Sequence, residues 1–134
     1  MKIASHLLAA ICFTCLSLPA KSQSMTAIEV VQNQLDFYNR QDVKSFAAMF
    51  AEDVKVFQQL GDSLPSLQGR KAVEKRYGEI FAQYPQNYST LLGRMVQGDF
   101  VIDHEWITGR EKELRIMAIY EVKDGLIRRC WFIR

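Results

Sequence analysis

Residues 88–108, YSTLLGRMVQGDFVIDHEWIT, decide the fold, because here the apolar spacing of the chain changes from a period near 3.6 to a period of two. YSTLLGRMV and FVIDHEWIT are two strand-like runs separated by Gln97-Gly98-Asp99. Downstream, ELRIMAIYEV (113–122) and LIRRCWFI (126–133) continue the pattern, set apart by Gly109 to Lys112 and by Lys123-Asp124-Gly125. The connections are short and rich in turn residues, and the last carries the Asp-Gly pair favoured in tight hairpins, so the four runs predict an antiparallel meander.

Upstream the spacing is helical. Thr26 followed by Glu29 is a capping box, and Ile28, Val31, Leu35 and Tyr38 predict a first helix to about Asn39. Asp42 caps a second helix whose stripe is Val43, Phe46, Ala47 and Phe50. DVKVFQQL (53–60) reads as a strand and GDSLPSLQG (61–69) as a loop. A third helix starts near Arg70 and stops around Tyr84, because Pro85 cannot continue it. Three helices packed on one face of a strongly curved antiparallel sheet is an α+β layout.

Residues 1–22 stand apart from this grammar. Lys2, the apolar run Leu7 to Leu18, and Ala20-Lys21-Ser22 supply the three parts of a cleavable secretory signal, with Cys12 and Cys15 inside it. The expected product is a single domain over residues 23–134, secreted or periplasmic, with no membrane span after cleavage. Lys2 and Lys21 leave with the leader, so the 17 basic residues become 15 against 15 acidic ones. A neutral chain lacks the basic surplus that nucleic-acid binding requires. Arg128, Arg129 and Arg134 read as a solvated edge, and Cys130, alone, forms no internal disulfide. Asn87-Tyr88-Ser89 fits a glycan acceptor pattern, but the leader gives no reason to favour a eukaryotic source and no glycan is assigned. One His and one Cys do not make a zinc set, and there is neither a GxSxG elbow nor a phosphate-cradling glycine loop, so no metal and no cofactor is expected.

The polar run Asp103-His104-Glu105 invites a catalytic reading. Strand neighbours point to opposite faces, so Asp103 and Glu105 share one side with Val101 and Ile107, and His104 lies on the other with Phe100, Ile102 and Trp106. The three cannot act as a contiguous triad.

FYNRQDVKSFAAMFAEDVKVF (37–57), LQGRKAVEKRYGEIFAQYP (67–85), GRMVQGDFVIDHEWITG (93–109) and KDGLIRRCWFIR (123–134) resemble, in that order, the SnoaL-like group of the nuclear transport factor 2-like superfamily. The resemblance implies a cone of helices and bent sheet, of the cystatin-like kind, around one deep pocket. Members include ketosteroid isomerases, polyketide cyclases, epoxide hydrolases, ring dehydratases and catalytically silent binding domains, and the fold does not choose among them. The isomerases carry a tyrosine on the first helix, an acid on the third meander strand and an aspartate base on the first strand. Aligned on Asp42, Asp53 and Gly109, this chain has Gln34, Ala118 and Gln58 there, which cannot do that chemistry.

In the family's register the pocket side is that of Asp103 and Glu105, the candidate acid/base pair. Leu114, Ile116, Ala118 and Tyr120 join from one neighbouring strand, and Cys130 and Phe132 from the other. Gln58, and the helical Tyr38 and Tyr77, complete the candidate ligand contacts. Arg94 either positions a ligand or ties strands by a bidentate pair with Asp103 or Glu105. In the inverted register His104 is the pocket base instead. The outer face, with Phe100, Ile102, Trp106, Ile127, Trp131 and Ile133, is too apolar for water and predicts a homodimer. Two functions follow as expectations: a domain that binds a small, mostly apolar molecule, or a cofactor-independent isomerase, cyclase, dehydratase or hydrolase using the pocket carboxylates.

Overall fold

A computed structural model describes residues 24–134; the expected leader, residues 1–22, lies outside the described residues. Helix α1 spans Ala27–Asn39. Its first turn closes as the capping box requires: the Thr26 hydroxyl accepts from the Glu29 amide at 3.3 Å, and the Glu29 carboxylate accepts from the Thr26 amide at 2.7 Å. Helix α2, Val43–Ala48, starts where the Asp42 carboxylate accepts from the Ser45 amide. Strand β1 is Phe50–Phe57, β2 the two residues Leu67–Gln68, and α3 Arg70–Gln83. The meander follows as β3 Tyr88–Gln97, β4 Phe100–Thr108, β5 Leu114–Lys123 and β6 Leu126–Ile133.

The six strands form one curved sheet in the order β2-β1-β6-β5-β4-β3. The helices pack on its concave side, where Val30, Val31, Phe46, Val54, Val73 and Tyr120 are fully or almost fully withdrawn from water. At the β5–β6 turn Asp124 and Gly125 both take positive φ, 53° and 73°. That is the conformation an Asp-Gly hairpin provides.

Four details differ from the sequence reading. The sheet is mixed, because β1 enters from the helical half of the chain and pairs parallel with β6. β1 begins at Phe50, three residues earlier than expected, because Phe50 and Ala51 are buried, and it ends at Phe57, after which the Gln59 amide donates to Asp62 in a turn. The expected loop contains β2, which pairs with β1 through Lys55 and Val56. Ile127 is buried on the concave side. The β5–β6 register shifts after Glu121, so Arg128 is the extra residue of a bulge and alternation on β6 reverses there. A second bulge, at Leu92 between Leu91 and Gly93, bends β3.

Candidate ligand-binding site

A cavity of about 120 Å³ opens between α1, α3 and the concave face of the sheet. Its walls are mainly aliphatic and aromatic, among them Leu35, Val56, Ile80, Ile107 and Phe132, with a few polar groups between them. A volume of this order suits a molecule the size of one ring or a short chain.

Glu105 projects into the cavity from β4. The Ser89 hydroxyl donates to its carboxylate at 2.7 Å and the Tyr120 hydroxyl at 3.3 Å. Burial pushes its pKa above the ordinary value and the charge of nearby Asp103 adds to the effect, against the two hydroxyls and Arg94. Ser89 is fixed in turn by α1: its amide donates to the Asn39 side-chain oxygen, and its carbonyl accepts from the Asn39 side-chain amide.

On the neighbouring wall, Arg110 donates from Nε to the Asn87 Oδ1 at 2.6 Å and from its terminal nitrogen to the Tyr38 hydroxyl at 2.7 Å. Tyr38 donates to the same Asn87 oxygen at 3.1 Å. Burial raises the Tyr38 pKa, against the pull of Arg110 and Asn87. Arg110 reaches this position because Gly109, at φ 76°, lies so close to the chain at Gln86 that a Cβ would stand 1.8 Å from the Gln86 carbonyl oxygen. No residue but glycine fits there.

Two further polar side chains face the cavity without a protein partner among the described residues. The Gln34 side chain, on α1, is only 5% exposed, and the Tyr77 hydroxyl comes from α3. Burial raises the Tyr77 pKa strongly, so its hydroxyl stays protonated and able to donate. Gln58, Arg76 and Arg134 stand at the mouth.

The structure divides the residues that the sequence grouped. Tyr38, Gln58, Tyr77, Glu105, Tyr120 and Phe132 line the cavity; Arg94, Asp103, Ala118 and Cys130 do not. Asp103 is fully buried, and Arg94 grips it through two bonds of 2.6 and 2.7 Å while also donating to Gln32 on α1. The expected pair of pocket acids is therefore a single pocket acid, Glu105, beside a strand-and-helix clamp. Ala118 packs against this clamp from the facing position on β5, and burial raises the pKa of the Cys130 thiol beyond reactive use. His104 is exposed on the outer face, so the register is the one with Asp103 and Glu105 inward. Asn87, of the glycan acceptor pattern, is 2% exposed and bonded within the site.

Arg110, Arg76, Ser89 and Asn87 were not foreseen. Turn composition marks Arg110 as part of a connection without saying where its long side chain reaches. In the sequence Gln34 stands out only as a departure from the isomerase pattern.

Residues 31–130 match the profile of the SnoaL-like domain, and the chain belongs to that family. Among solved structures it is similar to a cystatin-fold protein from Novosphingobium aromaticivorans, with 22% identity over 83% of this chain and 100% of that one and a TM-score of 0.76. It is also similar to a SnoaL-like protein of unknown function from Burkholderia thailandensis, at 16% identity over 79% and 91% of the two chains, TM-score 0.66. A third similarity is to a candidate polyketide cyclase from Sinorhizobium meliloti, at 18% identity over 81% and 99%, TM-score 0.67. Identities this low establish a shared fold and nothing finer. A comparison with curated proteins found no match.

Proposed function

We infer that this SnoaL-like domain binds a small, mostly apolar molecule in its cone cavity, as a secreted or periplasmic protein released by a leader at residues 1–22. The observation that carries this reading is the pairing of apolar walls with polar groups that no atom of the described residues satisfies. The Gln34 amide and the Tyr77 hydroxyl face the cavity without partners among the described residues. Donors and acceptors that open onto a cavity and are not used by the described protein atoms are suited to a ligand or water. Native mass spectrometry of residues 23–134 purified gently from the periplasm, with the denatured mass alongside, tests it. A small adduct released by denaturation, and lost or weakened in a Gln34→Leu/Tyr77→Phe double variant, is the expected result, and a natural protein that carries no adduct would overturn the reading.

A second reading has its own support. Glu105 is a carboxyl in an apolar cavity with its pKa raised, the property of a general acid. A cofactor-independent isomerase, cyclase, dehydratase or hydrolase would use Glu105 alone to move a proton, since Asp103 is held by Arg94. Here Glu105→Gln abolishes turnover and keeps binding, whereas in the binding-only reading it changes affinity and nothing else. The three-residue site of the ketosteroid isomerases is not proposed, given Gln34, Gln58 and Ala118.

The outer sheet face supports a homodimer. Met95 is 70% exposed, and Phe100 and Met117 are also exposed, beside half-buried Trp106, Ile119 and Trp131. A second copy covering this face removes that area from water.

A further inference from the structure

We propose that the ligand carries an anionic head, a carboxylate or a group of the same charge and shape, which pairs with Arg110 at the mouth of the cavity. The inference rests on the binding reading above and names the class of molecule bound.

Arg110 is half-buried, and both of its hydrogen-bond partners, the Asn87 side-chain oxygen and the Tyr38 hydroxyl, are neutral. Among the described residues no carboxylate lies within ion-pair distance of it, whereas the other half-buried arginines, Arg70, Arg94 and Arg128, each have at least one. A guanidinium partly removed from water without a counter-charge is costly to hold. Its second terminal nitrogen makes no bond to the protein among the described residues, so the planar fork keeps donors for a bidentate acceptor.

The surroundings favour the same sign of ligand. Arg76 lines the same mouth, and its one carboxylate, Glu79, is 3.9 Å away with both side chains more than half exposed, so little of its charge is neutralised. Outside the mouth the surface continues as a groove that holds Arg76, Arg110 and Lys112 against the single acid Glu111, with Arg134 at its edge. Inside, Glu105 is the one acid on the cavity wall, set deeper than Arg110 and held by the Ser89 and Tyr120 hydroxyls. Tyr38, held between Arg110 and Asn87, sets the guanidinium beside the apolar wall rather than in open solvent. A molecule with a short apolar body and one charged end fits this gradient from Tyr77 and Phe132 outward to Arg110.

The test is isothermal titration of the mature protein, residues 23–134, with 3-phenylpropionate and with 3-phenylpropanamide, which share a shape and differ in charge. The carboxylate is expected to bind about tenfold more tightly, the worth of one charge-assisted contact. Arg110→Gln should erase that preference, bringing the two affinities together. Should Arg110→Gln fail to fold, Arg76→Gln on exposed helix surface and a salt series take its place. A preference that shrinks with either supports the inference, and one that neither moves overturns it. Equal affinity for the two compounds overturns the anionic head and leaves the cavity reading standing. Binding of neither at millimolar concentration overturns the cavity reading and this inference with it.

Discussion

Glu105 and Asp103 are two residues apart on one strand and have opposite situations. Asp103 has its charge met by two bonds from Arg94, and Glu105 has only hydroxyl donors. The folded pKa of Glu105 lies above its ordinary value of 4.5, so the fold binds that proton more tightly than the unfolded chain does. Its proton-linked stability is therefore complete below the unfolded pKa and is lost as pH rises through the raised folded value. In urea unfolding from pH 4 upward, Glu105→Gln should flatten this decline relative to the natural protein; parallel curves would mean that burial does not raise the pKa. Asp103→Ala should instead remove about 3 kcal/mol of stability at neutral pH, because it strands Arg94. Probe affinity should hold in the folded fraction, since Asp103 does not line the cavity. From the sequence, alternation correctly placed these two acids on one face. The sequence names Arg94 as the partner of one of them without telling which, because the bulge at Leu92 that sets Arg94 opposite Asp103 has no signal in the alternation.

At the scale of elements, the capping box, the Asp42 cap, Pro85 and the Asp-Gly turn were all legible, since each acts within four residues of itself. What escaped the reading depends on partners far along the chain. Gln58 to Leu60 follow an apolar run and so read as strand, yet β6 supports β1 only as far as Phe57. The parallel pairing has no local signal at all. The bulge at Arg128 inverted the placement of Ile127, which a strict period of two put outside. The β4–β5 connection shows how one element serves the site. Gly109→Ala must move the chain at Gln86 and Asn87 to make room, at positive φ, and should cost about 2–4 kcal/mol by chemical denaturation. It should also weaken carboxylate binding in the fraction that folds, because Asn87 and Arg110 shift together. A destabilisation under the range of an ordinary surface change would mean the close approach is absent.

Across the whole molecule, the concave face is committed to the helices and the cavity, and the convex face is where a second copy would meet it. Arg115 lies 5.1 Å over the Trp106 ring and Arg129 5.5 Å over Trp131, while Phe57 stacks on Trp131 from β1. These cations shade the aromatic rings without covering Met95, Phe100 or Met117. Met117→Lys should raise the dimer dissociation constant by at least about tenfold in sedimentation equilibrium and leave cavity binding untouched. A natural protein that sediments as a monomer at high concentration would remove the dimer.

The parallel pairing also governs the order of assembly. β6 is the final strand of the sequence but lies between β1 and β5 in the sheet. β1 therefore has only the two-residue β2 beside it until residues 126–133 are available, and its other edge closes by a contact that spans most of the chain. Such long-range closure is slow compared with hairpin formation. A nascent chain must hold its concave face open until that last strand arrives, and the cavity comes into being in the same event that completes the fold.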